Sequence, residues 1–138
     1  MGKRFRVEIV TPEKVFFSGE AESLIVPAER GYLGVLAGRA PLLGTLRTGA
    51  ITIRRPDGSE LHCATGGGFL EVTPGKTTLL VDSVEEVSSI DVERARKALA
   101  RARERLASRD PSVDRERARA ALERARNRLR LASHYRAG

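Results

Sequence analysis

Arg94 and Arg101 stand seven residues apart in the last third of this 138-residue chain, and Arg124 and Arg128 stand four apart. Both spacings return a side chain to the same face of an α-helix. A guanidinium is planar, permanently charged and able to grip a phosphate or a carboxylate through two parallel hydrogen bonds, so the chemistry open to such a set is anion binding. A solvated basic face has the same spacing. Local sequence leaves phosphate, carboxylate and solvent all open as the arginines' partners. Glu93 with Lys97 and Arg119 with Glu123 are the i,i+4 pairs expected to neutralise charge within the helices, and most other guanidiniums have no such neighbour.

Other chemistry is poorly supplied. Cys63 is the only cysteine, which rules out an internal disulfide and fits a buried small residue in a reducing compartment. His62 and His134 have no Cys, His or Asp companions at ligand spacing, so no metal site is expected. No Ser/His/Asp arrangement suggests a nucleophile, and Glu8, Glu60 and Glu71 occupy ordinary outward strand positions. Gly31, Gly34 and Gly38 lack the lysine and the strand-then-helix setting of a phosphate loop; they read as sharp turns between strands.

Charge is divided unevenly along the chain. Residues 1–89 carry 10 Lys/Arg against 11 Asp/Glu, whereas 90–138 carry 15 against 7, so the formal +7 is the sum of −1 and +8. An anionic partner is therefore sought by the second part. No apolar run follows Met1-Gly2-Lys3-Arg4-Phe5 or approaches the length of a membrane span, so neither an export signal nor a spanning helix is expected.

The elements that must position the arginines come from a repeat. At an offset of 23, Asp91 falls on Asp114, Glu93 on Glu116, Ala95 on Ala118, Leu99 on Leu122, Arg101 on Arg124, Ala102 on Ala125 and Leu106 on Leu129. This predicts two similar helices, capped by Asp91 behind Ile90 and by Asp114 behind Val113. Their seams are Val92, Ala95, Leu99, Ala102 and Leu106, then Ala118, Ala121, Leu122, Ala125, Leu129 and Ala132. Pro111 ends the first, and the short connection makes the pair antiparallel neighbours. Four leucines are the only large seam residues, worth about 1.5–3 kcal/mol each if fully buried. Against the entropy of ordering some forty residues, such a pair is only marginally stable by itself.

Before the repeat, short alternating runs follow one another. Arg6–Val10 is a strand closed by Thr11-Pro12-Glu13. Val15–Phe17 and Ser23–Val26 are strands separated by a turn at Ser18-Gly19-Glu20. Ile51–Arg54 and Leu61–Ala64 form a hairpin about Pro56-Asp57-Gly58, Gly66-Gly67-Gly68 bends the chain, Phe69–Val72 and Thr77–Val81 flank Pro74-Gly75, and residues 85–89 are a polar connector. About eight to ten short strands predict an α+β chain in two domains: an antiparallel β-sandwich over 1–86 and an antiparallel two-helix hairpin over 87–138. The composition, 41% hydrophobic with 4% aromatic, makes that core aliphatic.

Four motifs then stand in order: Thr11-Pro12-Glu13, the run from Pro27 to Leu36 with Ala40-Pro41-Leu42 after it, Gly67-Gly68-Phe69-Leu70-Glu71-Val72, and Ile90-Asp91 with Arg94-Ala95. Together they resemble the epsilon subunit of bacterial F-type ATP synthase over almost the whole chain. The resemblance implies a non-catalytic rotor subunit of the central stalk of a proton-translocating ATP synthase, at the cytoplasmic face of the bacterial plasma membrane and attached to it only through the complex. It implies contact of the sandwich with the gamma subunit and the c-ring, with Gly31, Leu33, Arg39, Ala40 and Pro41 at the contact. It implies a hairpin that inhibits ATP hydrolysis when extended toward the alpha and beta subunits. No cofactor is required, but regulatory ATP is implied, and the family's ATP motif falls on Ile90, Asp91, Arg94 and Ala95, with Arg101, Arg124 and Arg128 as basic partners and Glu85 on the connector. The chain departs from the family at Ala28, Ala37 and Arg39, where Gly, Pro and His are usual. Rival readings are a free-standing nucleotide sensor using the same arginines and a basic nucleic-acid-binding module; the two predicted helices have no aromatic residue on which bases would stack, and nucleic acid is not expected as a partner.

Overall fold

A computed structural model describes residues 3–136. The chain divides into two compact units, one ending at Glu86 and the other beginning at Val87.

The first unit is a ten-stranded sheet folded around one aliphatic core. Alternation sets its first strand, β1 (Phe5–Val10), which buries Phe5, Val7 and Ile9 and turns Arg6 and Glu8 outward. The strands that follow are β2 (Val15–Ala21), β3 (Ser23–Ala28), β4 (Gly31–Val35), β5 (Leu42–Leu46), β6 (Gly49–Arg54), β7 (Glu60–Thr65), β8 (Gly68–Thr73), β9 (Lys76–Val81) and β10 (Val84–Glu86). They lie in the order β10-β7-β6-β3-β5-β8-β9-β1-β2, with β4 paired to β3 off that path. β3 makes the corner: Ser23–Ile25 pair with β6, whereas Ala28 pairs with Leu46 of β5. Leu24, Val26, Ile51, Ile53, Leu70 and Leu79 meet inside.

All ladders are antiparallel except one. β1 runs parallel to β9, Arg6–Val10 beside Lys76–Leu80, so the sandwich is not purely antiparallel. This ladder carries an ion pair between Glu8 and Lys76, which holds the Glu8 carboxyl below its ordinary range.

Three local expectations need correction. Ser18-Gly19-Glu20 is not a turn but the middle of β2, opposite Glu8, Val7 and Arg6. Ser18 accepts a 2.6 Å bond from the Arg6 guanidinium, and the ladder to β1 outweighs the local turn propensity. Within Pro27–Leu43, the glycines do not merely turn the chain, because β4 forms there on β3. Nor is 85–89 only a polar connector: Glu85 and Glu86 pair with Ala64 and Cys63, and a single 3₁₀ turn at Val87–Ser89 follows. The bend at Gly67-Gly68 is as expected. Gly67 has φ +103°, and a Cβ there would lie 2.9 Å from the carbonyl oxygen of Leu46.

The second unit holds α1 (Val92–Ala107) and α2 (Arg115–Arg136). Asp91 caps α1 by accepting from Arg94 N–H, and Asp114 accepts from Arg117 N–H in the same way, 3.0 Å in both cases. The helices pack on alanines. Ala95, Ala102, Ala118, Ala125 and Ala132 are buried, whereas Leu99, Leu106, Leu122 and Leu129 are only half-buried. Small residues let the backbones come close, and the leucines lie beside the contact rather than in it. The seam is thinner than four buried leucines would make it. Asn127, on the opposite side of α2 from its alanine line, and Leu131, roughly 100° round from that line on the flank of Arg124, are also buried, and the 3₁₀ turn packs against α2.

Candidate functional site

At about 100° per residue, Arg94 and Arg101 lie roughly 100° to one side of the Ala95–Ala102 line of α1, separated by about 10 Å along its axis. Arg124 and Arg128 occupy the corresponding flank of α2, about 6 Å apart. Because the helices are antiparallel, equal displacements from facing seams fall on the same side of the pair. The fold therefore gathers four arginines along one side of the hairpin, two from each helix, across an alanine seam.

The surroundings of three of them leave charge available. Among the described residues, the guanidiniums of Arg94, Arg101 and Arg124 make no hydrogen bond or ion pair. Arg94 and Arg101 are exposed; Arg124 and Arg128 are half-buried. The expected neutralising pairs are not those formed: Glu93 pairs with Arg96, one turn along, rather than with Lys97, and among the described residues Arg119 and Glu123 make no ion pair. The i,i+3 geometry brings Arg96 to 2.6 Å from Glu93 and leaves the next residue on another face.

Of the other candidate residues, Ile90 and Ala95 are buried and Asp91 is exposed at the cap, so Asp91 presents one carboxylate at the start of α1 while its Oδ1 holds the helix. Glu85 is half-buried on β10 of the first unit; the other seven residues all lie on the second. In the first unit, Arg39, Ala40 and Pro41 line a groove of about 300 Å³ together with Phe5, Leu36 and Lys76. Gly31 and Leu33 are not part of it, because Leu33 turns inward from β4 against the core. The loop is held by the Arg39 N–H, which donates to the carbonyl of Leu36.

Cys63 is buried on β7, and burial, reinforced by the nearby Glu86 charge, pushes its thiol up to about 12. It stays protonated and unreactive at neutral pH. Among the described residues no three of His, Cys, Asp and Glu come together as a metal site. No helix of the described residues is long and apolar enough to cross a membrane.

Two features escaped the sequence. Arg115 and Arg136 reach backbone carbonyls rather than carboxylates. Their positions, one just behind the Asp114 cap and one in the last turn of α2, were the only available signal. On the outer face of the sheet, Phe69 lies opposite Leu80 and both are exposed, 64% and 53%. The two side chains form a small apolar patch on that face.

The architecture is a β-sandwich unit and a two-helix unit with a basic flank. The family models agree: the ATP synthase delta/epsilon chain β-sandwich domain matches residues 4–87, and the ATP synthase delta/epsilon chain long α-helix domain matches 88–133. The chain belongs to the ATP synthase delta/epsilon family, as an epsilon-type, non-catalytic subunit of the F1 part of that complex.

Among its relatives, the ATP synthase epsilon chain of Moorella thermoacetica is 48% identical over 105 residues, 76% of this chain and 78% of that one. That of Koribacter versatilis is 43% identical over 113 residues, 80% of this chain and 78% of the relative. Two solved structures share the fold. A chain of the Euglena gracilis mitochondrial ATP synthase, solved as OSCP, F1 and c-ring, is similar with TM-score 0.78 at 23% identity, covering 90% of this chain and 78% of that one. A chain of the Tetrahymena thermophila mitochondrial ATP synthase central stalk and c-ring is similar with TM-score 0.56 at 14% identity, covering 96% of both.

Proposed function

We propose that this chain is the regulatory subunit of the central stalk, with its sandwich seated on the gamma subunit and the c-ring and its hairpin acting as a movable inhibitor of ATP hydrolysis. The observation that carries the reading is the alanine seam flanked by the guanidiniums of Arg94, Arg101 and Arg124, which make no hydrogen bond or ion pair among the described residues. A helix pair held by so little apolar area can exchange one set of contacts for another, and its basic flank suits acidic surfaces of the alpha and beta subunits. The groove at Arg39, Ala40 and Pro41 and the exposed Phe69–Leu80 pair are two surfaces of the sandwich available to stalk partners.

ATP is the proposed ligand of the arginine flank. Its phosphates would take guanidiniums from both helices, Arg94 and Arg101 on one and Arg124 and Arg128 on the other, so binding favours the closed pair by its differential affinity for that state. Ile90, Asp91 and Ala95 form the start of the same site. In this reading the chain sits at the cytoplasmic face of the bacterial plasma membrane, held there by its partners. Capture of partners with the tagged chain from native membranes tests the placement: recovery of gamma, c, alpha and beta subunits is expected, and recovery of none of them contradicts it.

A further inference from the structure

Two arginines of the second unit direct their guanidiniums at backbone oxygens. Arg115 Nη1 donates to the carbonyl of Leu106 and Nη2 to that of Ser108, both at 2.7 Å. Leu106 lies in the last turn of α1, where carbonyls have no intrahelical donor, so Arg115 caps α1 from the first residue of α2. At the other end, Arg136 Nη1 donates to the carbonyl of Ile90 at 2.7 Å across 46 residues of sequence.

The Ile90 carbonyl has no alternative within its own segment. Its N–H is bonded to Val87, and the first bond of α1 runs from Ala95 N–H to Asp91, one residue further on. Ile90 is 3% exposed with Arg136 in place. Without Arg136 this carbonyl loses its side-chain donor.

We propose that Arg136 is a releasable latch on the open end of the hairpin and Arg115 its fixed counterpart at the closed end. The two differ in connectivity. Arg115 reaches residues that the short connection keeps beside it whether or not the helices part. Arg136 joins the end of α2 to the entry of α1, and the helices cannot separate there while the bond persists. Between the two ends lie mainly alanines, so the latch sets how often the pair opens. A weaker latch gives more of the inhibitory form; that consequence rests on the proposed function, whereas the latch itself does not.

Hydrogen–deuterium exchange on the full chain tests it, separately from any measurement on the synthase. In Arg136→Met, amides 94–97 of α1 exchange about three- to tenfold faster, while amides of β6 and β7 are unchanged. Arg136→Lys, which keeps a charged donor, shows a smaller change. Arg115→Met accelerates amides 106–109 without reaching 94–97. The latch is overturned if amides 94–97 of Arg136→Met match wild type, if the change stays within 133–136 as simple fraying of the last turn, or if the sheet accelerates equally.

Discussion

The carboxylate of Asp91 accepts a hydrogen bond from the backbone N–H of Arg94 at 3.0 Å, so one residue of the candidate anion site is also the cap that orients another. Asp91→Ala removes both functions and costs about 1 kcal/mol of α1 stability. Asp91→Asn keeps a good cap without the charge. Circular dichroism of the two variants is expected to show helix loss for Ala and none for Asn; equal loss in both would show that charge, not capping, holds the first turn.

Cys63 gives a reactivity prediction with a definite sign. With its thiol pushed up to about 12, almost none is thiolate at pH 8. Alkylation of the native chain is expected to be far slower than that of a free thiol and to reach the free rate only in denaturant. Fast labelling without denaturant would mean that β7 is accessible in the folded state.

Gly68 and Gly58 separate two costs of positive φ. Gly68 has φ +155°, and a Cβ there would collide with the carbonyl oxygen of Leu80; Gly58 has φ +88° with open space around it. Gly58→Ala is expected to cost about 1 kcal/mol, the left-handed penalty alone. Gly68→Ala is expected to cost more than about 2 kcal/mol, since the backbone of β9 must move. Urea midpoints of the two variants measure the difference.

Much of this was legible because it is local. Asp91 and Asp114 announce helix starts, Pro111 a helix stop, Pro56-Asp57-Gly58 a hairpin, and the basic residues fall on helical faces by counting alone. What was not legible depends on partners distant in sequence. Ser18-Gly19-Glu20 has turn composition, yet the ladder from Glu8 to Ser18 keeps it in a strand. β10 forms only because β7 offers an edge to Glu85 and Glu86. The parallel β1–β9 pairing and the Arg136 bond to Ile90 join residues far apart in the chain, and no periodicity encodes either. The half-burial of Leu99 and Leu122 follows from how closely alanines let two helices approach, which is set by packing rather than by pattern.

The arginine flank makes an additive prediction about ATP. Arg94→Ala, Arg101→Ala and Arg124→Ala are each expected to weaken ATP binding to the isolated chain about tenfold or more, because each removes a charge-assisted bond to phosphate. Arg103→Ala, exposed on α1 away from that flank, is expected to have little effect. Isothermal calorimetry reads these directly, and an Arg94→Ala chain that binds ATP as tightly as wild type would remove the site.

The regulatory claim is tested most directly by ATP hydrolysis in a complex reconstituted with either the full chain or one lacking residues 90–138. Higher hydrolysis with the truncated chain, at equal incorporation of the sandwich, is the result expected of an inhibitory hairpin. Equal rates with the two chains would contradict it.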